Sequence, residues 1–565
     1  MWHAVAARWA GVGSILAVFI LGCAPPQAQE RSSGSAPAPA ASGPRRLTIG
    51  IMAEPAALHR ALIPPGHVVQ TGDLADKVVN MGLSILDPDG VRRPMLSEAV
   101  PTLENGLWRL LPDGRMELTW KIRPGATWHD GAPFTADDIV FTVAVAEDRE
   151  IPEFRLTGTA DFLGSVEALD PRTLLARWRT ASFKADALWA TSVIPKHLLE
   201  ASYIERKDAF RQLPYWSTEY VGLGPYKVRE WVSGSHLILT AHDGYALGRP
   251  KIDELEVRFI LDANTMVANV MSGGVQMTIG TGLNLEQSIQ VRDQWRDGRL
   301  SADMDAWVFA APQFVNPNPL VITDLRFRRA LIHAVDRQVL ADSIQAGMVP
   351  PADVNVRPNE PEYRDIERFI VRHPYDPERS AQLLAELGYT KGSDGVLIDA
   401  AGHKLELEVR ATGSPAIHVK TMQPVADYWQ RLGISINQVI IPVQRLADFE
   451  YRTTMPGIEV VRYGSGADRV DQLHGSKAPL PENRFSGTNR SRYINPEFDG
   501  LIDRYFATIA WAPRMQALGQ AAHHISDQLV VMGMIYDVAP VLIGNRLENV
   551  ATPNPTWNIH QWTVK

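Results

Sequence analysis

The sequence has one cysteine among its 565 residues. A single thiol excludes a disulfide scaffold, and it excludes zinc or iron–sulfur clusters held by several cysteines. An excess of basic charge is also missing: 56 lysines and arginines stand against 64 aspartates and glutamates, a net charge of −8. No basic field would therefore attract nucleic acid. The 45% hydrophobic and 21% charged residues are ordinary globular usage, and the length predicts about three to four domain-sized units.

Sequence motifs of common enzyme classes are missing as well. The chain has no His-Glu-x-x-His zinc motif, no Gly-x-Ser-x-Gly nucleophile elbow and no Walker A phosphate loop. His523 and His524 are adjacent, so on a helix their side chains would diverge by about 100° and could not share one metal. We find no positive case for an enzyme in the sequence, and we expect neither a cofactor nor a metal.

The first residues have the pattern of an export signal. Residues 9–21 form a 13-residue run without a charge, too short to cross a hydrocarbon core that needs about 20 helical residues. The run ends in Leu21-Gly22-Cys23, which places the only thiol at the cleavage point and resembles the lipobox of bacterial lipoproteins. We expect residues 1–22 to be a lipoprotein signal peptide and Cys23 to be lipidated. Residues 23–46, rich in Ala, Pro, Ser and Gly, are expected to be a flexible tether.

The remaining chain interleaves strand-like and helix-like segments. Residues 47–51 and 116–122 predict strands. Thr135 and Asp138 form a capping box that predicts a helix, and Asp376-Pro377 predicts another helix by its cap and first-turn proline. The apolar spacing over residues 324–345 predicts one further helix, which Gly347 would end. The mixture indicates an α/β or α+β protein without choosing its topology.

Several of these segments together resemble the family 5 extracellular solute-binding proteins, the peptide- and nickel-type receptors of ABC importers. Residues 118–139 match the signature block of that family, with two turns, a strand and a capped helix in family order. The segments at 222–226 (Gly-Leu-Gly-Pro-Tyr), 248–253, 324–337 and 375–389 match four further family segments. We expect these motifs, with Trp128 and His129, to build the scaffold rather than to touch a ligand.

The resemblance implies an α/β, two-lobed periplasmic-binding-protein-like fold with an extra subdomain inserted in the first lobe. Lobe I would comprise residues 47–305, with the inserted subdomain at about 89–220. Lobe II would comprise residues 306–528, and residues 529–565 would return to lobe I. Such a receptor closes on its ligand about a hinge.

The resemblance also places an amine-binding site in the second lobe. Peptide-binding members hold the free α-amino group with an aspartate in a segment that typically reads Ala-Asp-Tyr, and Asp468 occupies that position here. A carboxylate and an ammonium in a water-poor cleft form a charge-assisted hydrogen bond. Arg469 replaces the usual tyrosine, so it would either pair with Asp468 or reach a ligand carboxylate. The other candidate ligand-binding residues are Arg462, Tyr463, Ser465, Asn316 and Glu54.

We therefore expect the substrate-binding component of an ABC importer, which captures peptides or small amine-bearing solutes and delivers them to a permease. Its expected partners are the solute and the permease and ATPase subunits. It would be a monomer attached to the cell membrane only through its lipid anchor, outside the cytoplasm. The alternative ligand is a metal chelate, an opine or an oligosaccharide, and His474 gives weak support to the chelate. A lipid-anchored hydrolase and a sensor without a ligand cleft are the rivals from other classes.

Overall fold

The structure is a computed structural model that describes residues 44–63, 68–156, 160, 162–189, 193–280 and 282–565. The expected signal peptide, Cys23 and most of the expected tether lie outside the described residues. The described residues form twenty β-strands: β1 (Arg46–Ile51), β2 (Ser84–Leu86), β3 (Arg92–Pro94), β4 (Trp108–Leu110), β5 (Met116–Lys121), β6 (Leu163–Asp170), β7 (Thr173–Trp178), β8 (Tyr226–Val232), β9 (His236–Ala241), β10 (Glu254–Phe259), β11 (Met277–Thr278), β12 (Gly298–Pro312), β13 (Thr390–Lys391), β14 (Leu397–Ile398), β15 (Glu406–Thr412), β16 (Ser435–Ile441), β17 (Ile458–Gly464), β18 (Met532–Gly544), β19 (Leu547–Glu548) and β20 (Thr563–Val564).

The same residues form thirteen α-helices: α1 (Val68–Asp73), α2 (Ala136–Glu147), α3 (Lys196–Glu205), α4 (Ala263–Met271), α5 (Leu285–Gln294), α6 (Leu325–His333), α7 (Arg337–Ile344), α8 (Pro361–Ile366), α9 (Pro377–Glu386), α10 (Ile417–Leu432), α11 (Phe449–Thr453), α12 (Pro496–Ala507) and α13 (Trp511–Gln528).

Two long strands join the two halves of the main sheet. The sheet has ten strands in the order β16-β15-β17-β12-β18-β11-β1-β10-β9-β8. Strands β12 and β18 pair antiparallel from Gly298 opposite Gly544 to Ala310 opposite Met532. Strands β1 and β8–β11 lie on one side of this pair, and β15–β17 lie on the other. We call the half that contains β1 the first lobe and the half that contains β15 the second lobe. This architecture confirms the two-lobed α/β class that the sequence predicted.

A separate four-stranded sheet, β4-β5-β7-β6, lies in the chain between β1 and β8 of the first lobe. It has its own hydrophobic core, in which Trp120, Trp128 and Trp178 are fully buried. Indole rings of this size bury a large apolar area each. They give this insertion a core of its own beside that of the first lobe.

The caps that the sequence predicted start two helices. The Asp376 carboxylate accepts the N–H of Arg379 at 2.8 Å at the start of α9, and Thr135 and Asp138 form the capping box of α2. The single helix predicted over residues 324–345 is wrong. The chain forms α6 and α7 there, because the Asp336 carboxylate accepts the N–H of Val339 at 3.1 Å and starts a second helix.

The Gly-Leu-Gly-Pro-Tyr turn is fixed by a histidine of the signature block. His129 Nδ1 accepts the N–H of Gly222, and Nε2 donates to the carbonyl of Gly224, each at 3.0 Å. A Cβ on Gly222 would lie 2.0 Å from the carbonyl oxygen of Val79, so only glycine allows this approach. Trp128 Nε1 donates to the Asp138 carboxylate at 3.3 Å. Both Trp128 and His129 therefore hold the scaffold together, as the sequence predicted.

Candidate functional site

A partly buried cluster of charged residues lies where the two long strands pass from one lobe to the other. Asp305 is the extra residue of a β-bulge in β12, since the pairing with β18 shifts between Met304 and Ala306. Arg462, on β17, places Nη2 2.8 and 3.0 Å from the two carboxylate oxygens of Asp305. The Nε of Arg462 donates to the carboxylate of Asp537 on β18. One guanidinium therefore ties three strands together at the crossing.

The electrostatics of this cluster follow from its burial. Burial raises the pKa of Asp305, and the neighbouring Arg462 guanidinium opposes that rise. Burial alone would lower the pKa of Arg462, but the carboxylates of Asp305 and Asp537 raise it. Arg462 was expected to line the ligand site. Its guanidinium is bonded to two protein carboxylates, so its contacts are structural.

Asp468, the expected amine anchor, follows β17 in a 3₁₀ turn that spans Ala467–Leu473. Its Oδ2 lies 3.1 Å from the Nζ of Lys184, which belongs to the insertion in the first lobe, and the exposed fraction of the Asp468 side chain is 45%. The Nε of Arg469 lies 3.9 Å from the other carboxylate oxygen. Burial would raise the pKa of Asp468, but the Lys184 ammonium and then Arg469 lower it. The carboxylate is therefore ionised and paired with an ammonium that comes from the opposite lobe.

The loop that presents Asp468 is held by hydrogen bonds. The N–H of Gly466 donates to the carbonyl of Asn355 at 2.8 Å, and Asn355 Nδ2 donates back to the Gly466 carbonyl at 2.7 Å. The N–H of Ala467 donates to Glu360 Oε2 at 2.8 Å. Gly466 has a φ of +133°, and a Cβ there would lie 3.0 Å from Asp468 Oδ1. The position therefore requires glycine and sets the direction in which Asp468 faces.

Two other expected residues lie on the same stretch. The N–H of Ser465 donates to the carbonyl of Asp305 at 3.0 Å, and its buried Oγ has no hydrogen-bond partner within the part of the chain that the structure describes. The ring of Tyr463 meets that of Phe309 edge-on at 5.6 Å. Burial raises the pKa of Tyr463 to about 12, so its phenol is neutral. The segment from Arg462 to Arg469 thus runs from the charged cluster at the strand crossing to the contact with Lys184.

The remaining expected residues do not join this cluster. Glu54 accepts hydrogen bonds from Trp231 Nε1 at 3.1 Å and from the N–H of Gly234 at 2.9 Å, so it fastens the hairpin of β8 and β9. Asn316 is exposed and follows the end of β12. The end of β12 pairs with the start of β17, whereas Asp468 follows the end of β17. Asn316 and Asp468 therefore follow opposite ends of this strand pair.

His474, which gave weak support to a metal chelate, caps the next turn by accepting the N–H of Ser476 at 3.0 Å. Among the described residues, no group of three or more His, Cys, Asp or Glu side chains is placed to hold a metal ion. His474 therefore has a local structural contact and belongs to no such group among the described residues.

Sequence reasoning missed Lys184, the residue that contacts Asp468. It lies in a 3₁₀ segment, Phe183–Ala187, which no hydrophobic period marks. The neighbouring Phe183 ring stacks on Phe506 of α12, with centroids 5.6 Å apart and an angle of 6° between the ring planes. Lys184 and Asp468 are 284 residues apart in the chain, so only the tertiary fold brings them together.

Lys184 also lines a cavity of about 390 Å³ in the first lobe. This volume lies in the range of small-molecule sites, which are about 300–1,000 Å³. Its lining is mixed in character and includes His59, Arg60, Glu153, Phe154 and Arg155.

Two lobes joined by two long strands, with charged side chains meeting across the cleft between them, define a bilobal solute-binding protein. The sequence profile described as "Bacterial extracellular solute-binding proteins, family 5 Middle" matches residues 98–473, which is more than half of the chain. The chain belongs to this family of substrate-binding proteins.

One relative aligns with most of this chain. The oligopeptide-binding protein AppA of Bacillus subtilis is 24% identical over 510 residues, which cover 86% of this chain and 85% of that protein. Its structure in complex with a nonapeptide has a TM-score of 0.70 and 22% identity, and covers 92% of this chain and 100% of that chain.

Two further solved structures share the fold. The oligopeptide-binding protein of Thermus thermophilus, complexed with a pentapeptide, is 21% identical with a TM-score of 0.71, covering 93% of this chain and 97% of that one. NikZ of Campylobacter jejuni in complex with Ni(L-His) is 18% identical with a TM-score of 0.72, covering 92% and 99%. The same architecture thus accompanies both peptide and chelate ligands in those proteins.

Proposed function

We propose that the protein is the substrate-binding component of an ABC importer and captures peptides or small solutes that carry a free amine. The observation that carries this proposal is the pairing of Asp468 Oδ2 with the Lys184 ammonium at 3.1 Å across the cleft. A primary ammonium from one lobe thus sits on a carboxylate of the other, which is the contact that a ligand amine would make. Binding then stabilises the closed state through the ligand's higher affinity for it.

We assign lobe I to residues 47–305 and 529–565, its inserted subdomain to about 89–220, and lobe II to residues 306–528. The hydrophobic cores support the main division, although Leu529, Met532 and Tyr536 belong to the core of the second lobe. One core contains Leu47 and Trp562, the second contains Trp307 and Ile525, and the third contains Trp120. The strands β12 and β18 contribute to both lobes and would form the hinge.

We place the protein outside the cytoplasm, as a monomer attached to the membrane by a lipid on Cys23. The permease and ATPase subunits of the importer would recognise its loaded form, and the protein itself would catalyse no reaction. The family's extracellular character and the lipobox-like sequence at Cys23 support this placement. No described helix is both long and apolar enough to span a bilayer.

A second candidate ligand is an acidic small solute, such as a metal chelate or an opine. The lining of the cavity favours it, since Arg60, Arg155 and Lys184 bring three cationic groups to one space and Glu153 only one carboxylate. Arg60 also pairs with Asp76 at 2.6 Å, which reduces its share of that attraction. An oligosaccharide has no comparable support among the cavity residues.

Native mass spectrometry of ligand that co-purifies with the full-length protein tests the proposal. A series of bound masses spaced by amino-acid residues would support a peptide receptor of broad selectivity. A single non-peptide mass or a metal chelate would replace it with the second candidate. Hydrolysis of added peptides by the purified protein would contradict the view that it only binds.

A further inference from the structure

We propose that Lys184 is a built-in competitor for the amine subsite: it latches the lobes by pairing with Asp468 when no ligand is bound, and a ligand ammonium must displace it. This inference rests on the proposed function, because it assigns Asp468 to the ligand amine. Lys184 would lower the affinity for a ligand ammonium, and its contact with Asp468 would hold the two lobes together. Lys184 and Asp468 lie 3.1 Å apart and belong to opposite lobes.

The segment that carries Lys184 is bound to the second lobe. The Phe183 ring stacks on Phe506 at 5.6 Å and meets Tyr505 edge-on at 5.0 Å. The Arg514 guanidinium lies 4.4 Å from the Phe183 ring centroid, and aromatic and cation–π contacts of this kind are attractive. The ring beside Lys184 is therefore seated against the opposite lobe, which brings the ammonium to the carboxylate.

The other end of the same segment is bound to the first lobe. Asp186 pairs with Arg92 Nε at 3.3 Å, and its backbone carbonyl accepts a hydrogen bond from Ser84 Oγ at 2.9 Å. The segment thus bridges the two lobes, with Lys184 between its two attachments. These two attachments hold Lys184 where its ammonium reaches the Asp468 carboxylate.

The Lys184 side chain has space to move into when it is displaced. It lines the cavity of about 390 Å³ as well as pairing with Asp468. A lysine ammonium on a flexible four-carbon stem can leave one partner without moving the backbone. Arg469 is a poor substitute, because its Nε is 3.9 Å from Asp468 and 53% of its side chain is exposed. A ligand can bind only those molecules in which Lys184 has left Asp468. The apparent affinity therefore falls as the fraction of protein with the Lys184–Asp468 pair rises.

The test compares the full-length protein in mild detergent with Lys184→Met and with Lys196→Met as the matched control, because Lys196 belongs to the same insertion and its ammonium pairs with Glu200 on α3 at 3.7 Å. Calorimetric titrations use tetra-alanine with a free amino terminus and its N-acetylated form. We expect Lys184→Met to bind free tetra-alanine about three- to tenfold more tightly, and the acetylated form with unchanged affinity. Lys196→Met should stay within about twofold of the natural protein. Equal or weaker binding of free tetra-alanine by Lys184→Met would overturn the competitor role.

Small-angle X-ray scattering without ligand tests the latch separately. Lys184→Met should increase the radius of gyration of the natural protein, and Asp468→Asn should increase it equally, because each removes one partner of the pair. Unchanged radii in both variants would overturn the latch. If the natural protein and both methionine variants fail to bind tetra-alanine in any form, the proposed peptide function fails, while the scattering still decides the latch.

Discussion

Arg462 Nη2 lies 2.8 and 3.0 Å from the two carboxylate oxygens of Asp305, at the bulge where β12 passes from the first lobe to the second. The same guanidinium donates to Asp537 on β18. The two strands that link the lobes are therefore joined through one side chain of β17.

Arg462→Met should destabilise the protein by about 2–4 kcal/mol, because it leaves two carboxylates without their cation in a mostly buried place. The value is below that of a fully buried pair because 37% of the Asp305 side chain is exposed. Urea unfolding at pH 7 measures it. Arg469→Met, in an exposed position, is the control and should cost less than about 0.5 kcal/mol. Equal losses in the two variants would contradict the structural role of Arg462.

The stability that Arg462→Met loses should depend on pH in a definite direction. Burial raises the pKa of Asp305 in the folded protein, so its protonated form is the one that folding favours. The penalty of the lost arginine should therefore shrink as the pH falls toward 5 and grow as the pH rises. A loss in Arg462→Met that is independent of pH would show that packing, rather than charge, causes it.

Gly222→Ala should destabilise the protein by about 3 kcal/mol or more, because the new Cβ would lie 2.0 Å from the carbonyl oxygen of Val79. Gly500→Ala, within α12, is the matched control. Its Cβ would meet nothing within 4 Å among the described residues, and it should stabilise the protein by about 0.5–1 kcal/mol. Thermal unfolding compares the two, and an unchanged midpoint for Gly222→Ala would contradict the close approach.

The local parts of this fold were predictable from the sequence. A cap such as Asp376, or a Gly-x-Gly turn at residues 222–224, acts through neighbours a few residues away and therefore leaves a sequence pattern. Strand order is different: β1 pairs with β10 and β11, both more than 200 residues later in the chain. No local pattern encodes such pairing, and the family resemblance supplied only the two-lobed arrangement.

The contacts of the candidate site were not predictable from the sequence. The sequence offered Arg469 either as a partner of Asp468 or as a contact for a ligand carboxylate, and the cation nearer to Asp468 is Lys184. Arg462 was a candidate ligand contact because alternation along a short strand does not say which charged partner faces a side chain. Glu54 and Asn316 follow strands, and their actual neighbours depend on loops whose course the sequence does not determine.

Acid should weaken the fold through buried histidines. Burial lowers the pKa of His129 to about 3 and that of His418 and His560 to about 4. Between pH 6.5 and these values the unfolded chain binds protons that the folded protein does not. The stability due to each neutral imidazole is therefore full above pH 6.5 and is lost by up to about 1.4 kcal/mol per pH unit as the pH falls.

The slope of unfolding free energy between pH 7 and pH 5 measures this effect. His560→Gln should flatten the slope, since it removes one group that gains a proton on unfolding. His403→Gln, whose imidazole is 80% exposed, is the control and should leave the slope unchanged. An identical slope in His560→Gln and in the natural protein would refute the account.

Cys23→Ser should release the protein from the membrane fraction of a bacterium that processes lipoproteins. Serine cannot form the thioether that holds the lipid, and stable anchoring depends on the acyl chains. Fractionation followed by immunoblotting measures the distribution. Ala24→Ser, one residue later, serves as the control and should stay membrane-bound; attachment of Cys23→Ser at the natural level would contradict the lipid anchor.

Asp468→Ala should weaken binding of peptides with a free amino terminus by about 2–3 kcal/mol. This is the lower part of the range for a truncated charge pair, because 45% of the Asp468 side chain is exposed. The N-acetylated form of the same peptide should lose no affinity, since it has no ammonium to pair with the carboxylate. Asp503→Ala, which removes a carboxylate that is 73% exposed in the same lobe, should change neither. Titration calorimetry gives all six affinities, those of the natural protein and the two variants for each of the two peptides. Equal losses for the free and acetylated peptides would mean that Asp468 acts on the shape of the cleft, and no loss for either would place the amine subsite elsewhere.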